Sequence, residues 1–206
     1  MIKIKFTKGE LKKQRDALRQ YLRYLPTLQL KKQQLQMEIL HWHTLEQERD
    51  RVLNSKMLAA AVWAGLLAQD TGVDMRQWLV PSEIVTKAKN IAGVDLPVFE
   101  QAVFPAAEYD LFVVAPWVDR AIESLQEIVS LRQEIIVIKR AIAILKNELR
   151  ITAQRVNLFE KVKVPESQEA IRRIKIYIGD QMANAVGRCK IAKRKIEEFE
   201  ALEVAA

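Results

Sequence analysis

Cysteine is almost missing from this 206-residue chain. Cys189 stands alone, so no internal disulfide can form, and the cross-linked frameworks of small secreted domains are excluded. Glycine and proline number six each, too few for an all-β fold built on tight turns or for a flexible low-complexity chain. Aromatic residues make up 7%, with no interleaved cluster on which nucleobases could stack, so a basic nucleic-acid binder is poorly supported. The longest run without a polar side chain, Met57 to Ala68, is twelve residues, against about 20 for a membrane-spanning helix. The lysine-rich stretch from Met1 to Lys8 precedes no apolar core and does not read as a signal peptide. The expectation is a soluble cytoplasmic protein that reaches a membrane only through partners, without direct insertion.

Sites for chemistry are equally scarce. No Gly-x-x-x-x-Gly-Lys-Ser/Thr loop occurs, and the glycines at 9, 65, 72, 93, 179 and 187 form no phosphate-cradling cluster. His41 and His43 flank Trp42, a spacing that sends them to nearly opposite sides of a helix, whereas shared ligation needs positions three or four residues apart. Two histidines and one cysteine cannot assemble a zinc set. Cys189 falls on the apolar stripe of its helix and reads as packing. No catalytic, cofactor or metal residue is expected.

What the chain does have is long helical periodicity. Ile2, Ile4 and Phe6 alternate with lysines as a short extended lead-in, and Thr7-Lys8-Gly9-Glu10 is a capping-box pattern that starts a helix. Leu11, Leu18, Leu22 and Leu25 keep a seven-residue rhythm. Leu28, Leu35, Ile39 and Trp42 read as resuming it three residues out of phase, with Pro26 at the shift and a kink expected there. The helical pattern continues to residue 69 and would span roughly 90 Å at 1.5 Å per residue. A second run is cleaner: Leu131, Ile135, Ile138, Ile142, Leu145, Leu149, Thr152, Val156 and Phe159 alternate steps of four and three, the signature of a coiled-coil seam. Lys163-Val164-Pro165 interrupts it, and Ile171, Ile174, Ile178, Met182, Ala185, Cys189, Ala192, Ile196 and Phe199 resume it.

Between the helical runs the composition changes. Four of the six prolines (81, 97, 105, 116) fall within 70–117. Ile84–Asn90 and Val94–Phe99 read as strands about a turn at 90–93, with Pro97 confined to an edge. The expected fold is mainly α, a long antiparallel two-helix coiled coil with a small β-hairpin insert at one end. Its segments are 1–69, 70–117 and 118–206, in one elongated unit kinked near 163–165. The apolar run Met57–Ala68 reads either as helix buried beneath the insert or as a docking surface.

Charge is uneven. Residues 1–32 hold ten Lys/Arg and two Asp/Glu, residues 155–195 eleven and four, and residues 61–117 three and seven. Antiparallel pairing would bring both basic segments to one end, where like charges call for an acidic partner; the alternative is an ordinary solvated helix face.

Three stretches resemble the D subunits of the V-type (A/V-type) rotary ATPases. Leu28-Gln29-Leu30-Lys31-Lys32-Gln33-Gln34-Leu35 is similar to that family's Leu-Leu-Lys-x-Lys-Arg-Asp-x-Leu, and Asn90-Ile91-Ala92-Gly93-Val94-Asp95-Leu96-Pro97 to its Asn-x-x-Gly-Val-x-x-Pro. Thr152-Ala153-Gln154-Arg155-Val156-Asn157-Leu158-Phe159-Glu160, followed by Pro165, resembles Thr-x-Arg-Arg-Val-Asn-Ala-Leu-Glu…Pro. Gln154 replaces an arginine of that signature, Asp180 to Val186 is nearly uncharged where the family is Glu/Arg-rich, and Pro26 is foreign to the first helix. The resemblance implies a non-catalytic rotor component of the central stalk, one that couples ATP turnover to proton or sodium transport. Its implied partners are the catalytic A/B-type hexamer, the small F subunit and the funnel-shaped C/d subunit above the membrane ring. Lys12, Lys13, Arg15, Arg19, Arg188, Lys190, Lys193 and Arg194 are expected to face the acidic collar of the hexamer, and the signature residues Arg155 and Asn157 are further partner-binding candidates. A cytoplasmic coiled-coil scaffold with no motor role is the alternative reading.

Overall fold

The computed structural model describes residues 5–69, 74–110 and 114–204, the last six by backbone alone. The lead-in residues Ile2 and Ile4 and the Phe199 side chain therefore lie outside the described set. The order of elements is α1 (Lys8–Ala61), a 3₁₀ turn (Ala64–Ala68), α2 (Arg76–Leu79), β1 (Glu83–Ile91), β2 (Val94–Val103), α3 (Trp117–Leu158), a π-helical turn (Phe159–Lys163) and α4 (Val164–Val204). The chain is mainly α, with one two-stranded antiparallel sheet among the described residues. It divides into two compact units, Met1–Leu30 with Ala153–Ala206, and Lys31–Thr152.

Helix α1 starts where the cap predicts. The Glu10 amide donates to Thr7 Oγ1 at 3.2 Å, satisfying one of the free donors of the first turn. The reciprocal half of the capping box does not form, because the Glu10 carboxylate accepts instead from Gln14 Nε2 at 2.9 Å. Leu11, Gln14, Leu18, Tyr21, Leu25, Leu28, Lys32, Leu35, Ile39, Trp42, Glu46, Arg49 and Leu53 are among the less exposed positions along the helix and follow unbroken steps of three and four. The expected phase shift is therefore absent. Gln14 and Tyr21 hold seam positions that an apolar pattern overlooks, while Leu22 is exposed. Pro26 sits on the exposed side and α1 runs through it. The helix ends at Ala61 rather than near 69, and the chain leaves α geometry for a 3₁₀ turn containing Gly65.

In the unit Lys31–Thr152, α1 and α3 pair antiparallel. Lys31–Glu148 (2.9 Å), Glu46–Lys139 (3.7 Å), Arg49–Glu134 (2.9 Å) and Lys56–Glu127 (2.7 Å) climb one helix as they descend the other. These pairs keep at least one partner partly in water, where an ion pair contributes about 1 kcal/mol or less, so they fix direction and register while the seam supplies stability. That seam is the expected one: Ile135, Ile138, Ile142, Leu145 and Thr152 are buried.

The hairpin turns at Ala92-Gly93, both with positive φ (53° and 77°), as a two-residue type I′ turn requires. Asn90 secures it: its side-chain oxygen accepts from the Gly93 amide at 3.2 Å and its amide nitrogen donates to Asp95 at 2.6 Å. Ile91 faces Val94 across the turn and Ala88 faces Pro97. Alternation of hydrogen-bonded and open pairs then leaves Pro97 at an open position, where its missing donor costs no ladder bond. A bulge at Glu100, between the Val85–Gln101 and Thr86–Phe99 pairs, lets β2 continue to Val103 beyond the expected strand.

The hairpin folds against the helix pair. Leu96 is fully buried among Leu35, Ile39, Trp42, Ile138, Ala141, Ile142 and Leu145, with Ile91, Val94 and Val98 packed around it. A second cluster of Trp78, Val114, Val118 and Ile122 closes the connecting segments onto the start of α3. There Gln126 donates to the Trp78 carbonyl at 3.0 Å.

Candidate interaction surfaces

In the unit Met1–Leu30 with Ala153–Ala206, α1 pairs antiparallel with the end of α3 and the first part of α4. Tyr21 stacks on Phe159 (5.4 Å between centroids, 25° between planes) and Phe6 meets Tyr177 (5.0 Å, 42°). Val156, Ser167, Ala170 and Ile174 are buried in this seam. Continuing the four-and-three rhythm from Val156 and Phe159 would place seam positions at 163, 166, 170, 173 and 177, yet Ser167 and Ile174 are buried and Ile178 half-buried while Glu166, Arg173 and Tyr177 are exposed. One extra residue must be absorbed, and the π turn absorbs it: the Val164 amide bonds back to the Phe159 carbonyl, five residues earlier. Without that insertion each later side chain would be rotated by about 100° from the seam. The interruption expected at 163–165 is thus a wide turn inside a continuing helix, and Pro165 lies just beyond it, in the first turn of α4.

Pairing stops at Ile178. From Gly179 to Glu198 every residue is exposed except the half-buried Gly187. Met182 (59%), Val186 (56%), Ile191 (61%) and Ile196 (57%) keep most of their surface in water. The stripe of Met182, Ala185, Cys189, Ala192 and Ile196 continues the seam rhythm with nothing opposite it among the described residues. Cys189 is exposed and not packed as expected, because α1 has no turn beside it.

All ten partner-binding candidates fall in this unit and all are exposed. They occupy different stretches. Lys12, Arg15 and Arg19 line an open groove with Lys8, Leu11 and Ile178, on the paired stretch, and Lys13 is exposed beside them. Arg188, Lys190, Lys193 and Arg194 lie on the unpaired stretch of α4. Lys193 and Arg194 there face Glu197 (3.6 Å) and Glu198 (2.9 Å). Arg155 and Asn157 point outward on either side of the buried Val156. Glu169 receives hydrogen bonds from Arg172 and Arg173, which hold its carboxyl down at about 2.

A second uncovered surface belongs to the other unit. Met57, Leu58, Val62 and Leu67 are exposed and Ala60 alone of this run is buried. Burial beneath the insert is therefore overturned: the hairpin packs instead on the Leu35–Trp42 part of α1. Met37 and Leu40 are also exposed on α1. They were not singled out in the sequence, although their positions off the heptad seam distinguish them. Tyr109 donates to Asp119 at 2.6 Å, and that bond to a carboxylate, with burial, pushes its hydroxyl up to about 12. No helix among the described residues is long and apolar enough to cross a membrane.

Comparison with known proteins gives one consistent answer. The profile of the family described as the ATP synthase D subunit matches residues 10–194. The V-type ATP synthase D subunit of Borreliella burgdorferi is 41% identical over 196 residues, covering 95% of this chain and 96% of the relative. The protein of that description from Chlamydia trachomatis is 30% identical over 204 residues (95% and 97%), and that from Chlamydia abortus 32% over 196 (95% and 94%). An antiparallel helix pair carrying a folded-back hairpin, matched along nearly its whole length, belongs to the family of ATP synthase D subunits and is a component of a V/A-type ATPase complex.

Proposed function

We propose that the chain is the central-stalk rotor of that complex, a non-catalytic axle coupling ATP hydrolysis or synthesis in the A/B-type hexamer to proton or sodium transport. Segments 1–69 and 118–206 serve as the shaft and 70–117 as its insert. The small F subunit and the funnel-shaped C/d subunit are its other partners. The complex holds the chain at the membrane from the cytoplasmic side.

One observation carries the reading: the seam rhythm of α4 persists past Ile178 with no partner among the described residues. Each aliphatic side chain left in water forgoes about 1.5–3 kcal/mol, so this stripe is built to be covered in an assembly. The cations beside it, and Lys12, Lys13, Arg15 and Arg19, suit an acidic collar around the shaft. The separate apolar surface at Met57–Leu67 suits a different partner.

Reversing Lys12, Lys13, Arg188 and Lys190 to glutamate and titrating the variant against purified catalytic hexamer tests the placement. Weaker assembly, with a shallower salt dependence than the parent, is expected. Unchanged affinity rejects it. Self-association instead of a one-to-one complex with the F subunit would favour the scaffold reading.

A further inference from the structure

Helix α4 is held in two different ways along its length. Up to Ile178 its seam is covered: Ala170 and Ile174 are buried, Ile178 is half-buried, and Tyr177 meets Phe6 at 5.0 Å. Gln181 reaches back to this stretch, its amide donating to the Tyr177 hydroxyl at 3.3 Å. From Met182 to Glu198 the side-chain links among the described residues are Lys193–Glu197 (3.6 Å) and Arg194–Glu198 (2.9 Å), both within α4 itself.

The local sequence does not replace the missing packing. Gly187 lowers the helical weight of its position about fourfold to fivefold against alanine. No close neighbour calls for that glycine, since an added Cβ would meet nothing within 4 Å. Asp180, Asn184, Val186, Cys189, Ile191 and Ile196 are weaker helix formers too. The two ion pairs each raise the helix about twofold at most, and both stand in the less favourable order, cation before carboxylate. Most helical stability in proteins comes from packing an amphipathic face. Here that face is present, with Met182, Ala185, Cys189, Ala192 and Ile196 at steps of three and four, and it is exposed. The stretch is patterned as a paired helix, but the described residues do not hold it as one.

We propose that residues 180–198 fold on docking. In the free chain they exchange between helix and coil, and the helix becomes fixed when an acidic, apolar-lined socket covers the stripe. Arg188, Lys190, Lys193, Arg194 and Lys195 outnumber Asp180, Glu197 and Glu198 there, which sets the sign of that socket. A segment that orders on binding gives up part of its contact energy to ordering, so it covers a long surface and still releases. The docking step rests on the rotor reading and its acidic collar; the helix–coil exchange of the free chain does not.

The test is hydrogen exchange with mass spectrometry on the full-length chain, free and then mixed with purified catalytic hexamer. In the free chain, amides of 182–198 are expected to exchange within roughly tenfold of an unstructured chain, and those of 167–178 at least about a hundredfold more slowly, as fraying ends and packed turns do. Gly187→Ala is expected to slow 182–198 about twofold to fivefold and leave 167–178 unchanged. Bound to hexamer, 182–198 is expected to slow at least about tenfold. Equal protection of the two stretches in the free chain overturns the proposal. So does a bound chain in which 182–198 still exchanges as coil. A chain that binds no hexamer overturns the collar placement and the docking step with it, while the free-chain contrast stands or falls on its own peptides.

Discussion

Leu96 is the point at which the insert is tied to the helices, and truncating it isolates that tie. The side chain is fully buried in a cluster with Leu35, Ile39 and Trp42 from α1 and Ile138, Ala141, Ile142 and Leu145 from α3. Leu96→Ala removes three carbons from this cluster, about 2.4 kcal/mol of transfer free energy at about 0.8 kcal/mol each. The cavity adds to this, because contributors from three elements cannot all close on it, giving roughly 3–4 kcal/mol within the range typical of buried leucines. A two-stranded hairpin is marginal without packing, so the loss should also release the insert locally. Urea unfolding gives the first quantity. Exchange of amides in 83–103 gives the second, with protection falling more there than in α3. Leu40→Ala, at an exposed position of α1, is the control and should stay within about 0.5 kcal/mol. A Leu96→Ala cost below about 1 kcal/mol, or protection lost equally in hairpin and helices, would refute the anchoring role.

Glycine substitutions should differ in sign by backbone alone, since a Cβ meets nothing within 4 Å at either Gly93 or Gly179. Gly93→Ala, at φ 77°, should lose about 1 kcal/mol in urea unfolding, and Gly179→Ala, inside α4, should gain about 0.5–1 kcal/mol. Glu169 is held at about 2 against an ordinary 4.5, so its contribution is complete above pH 4.5 and fades as pH falls toward 2. Glu169→Gln should flatten that part of an acid-unfolding curve read by circular dichroism, and an unchanged curve would count against the Arg172–Arg173 pairing. Ile196→Asp and Met182→Asp should leave the free chain's stability within about 0.5 kcal/mol yet weaken binding to the hexamer in a pull-down; loss of stability in the free chain would mean the stripe is covered internally.

Much of this architecture could be read from residue spacing because the forces behind it are local and periodic. The Leu131–Phe159 rhythm marked the α3 seam, and Asn90 with Gly93 marked a turn, Gly93 accepting the positive φ cheaply and Asn90 taking its amide hydrogen bond. The parts that were misread share a cause. Tyr21 and Gln14 occupy seam positions through shape and partner rather than hydrophobicity, so a leucine-based reading invented a phase shift at Pro26. The true insertion, at Phe159–Lys163, was visible only as an interruption, since one residue absorbed in a π turn changes no residue type. Met57–Ala68 is apolar on all sides, and composition alone cannot distinguish a surface buried by its own chain from one awaiting another.

That last ambiguity indicates where function enters the chain. Wherever seam and partner both belong to the chain, as at Leu35–Leu145 or Ile174, pattern and burial agree. They part at α4 beyond Ile178 and at Met57, Leu58 and Val62, where apolar positions persist yet stay exposed among the described residues. A chain selected only for its own stability would replace those side chains with charge, since an exposed aliphatic position contributes little to folding and promotes association. Their retention is the physical mark of a protein built for assembly, with a different surface in each of its two units. The disagreement between periodicity and burial, more than either alone, identifies the residues at which mutation should impair assembly without impairing the fold.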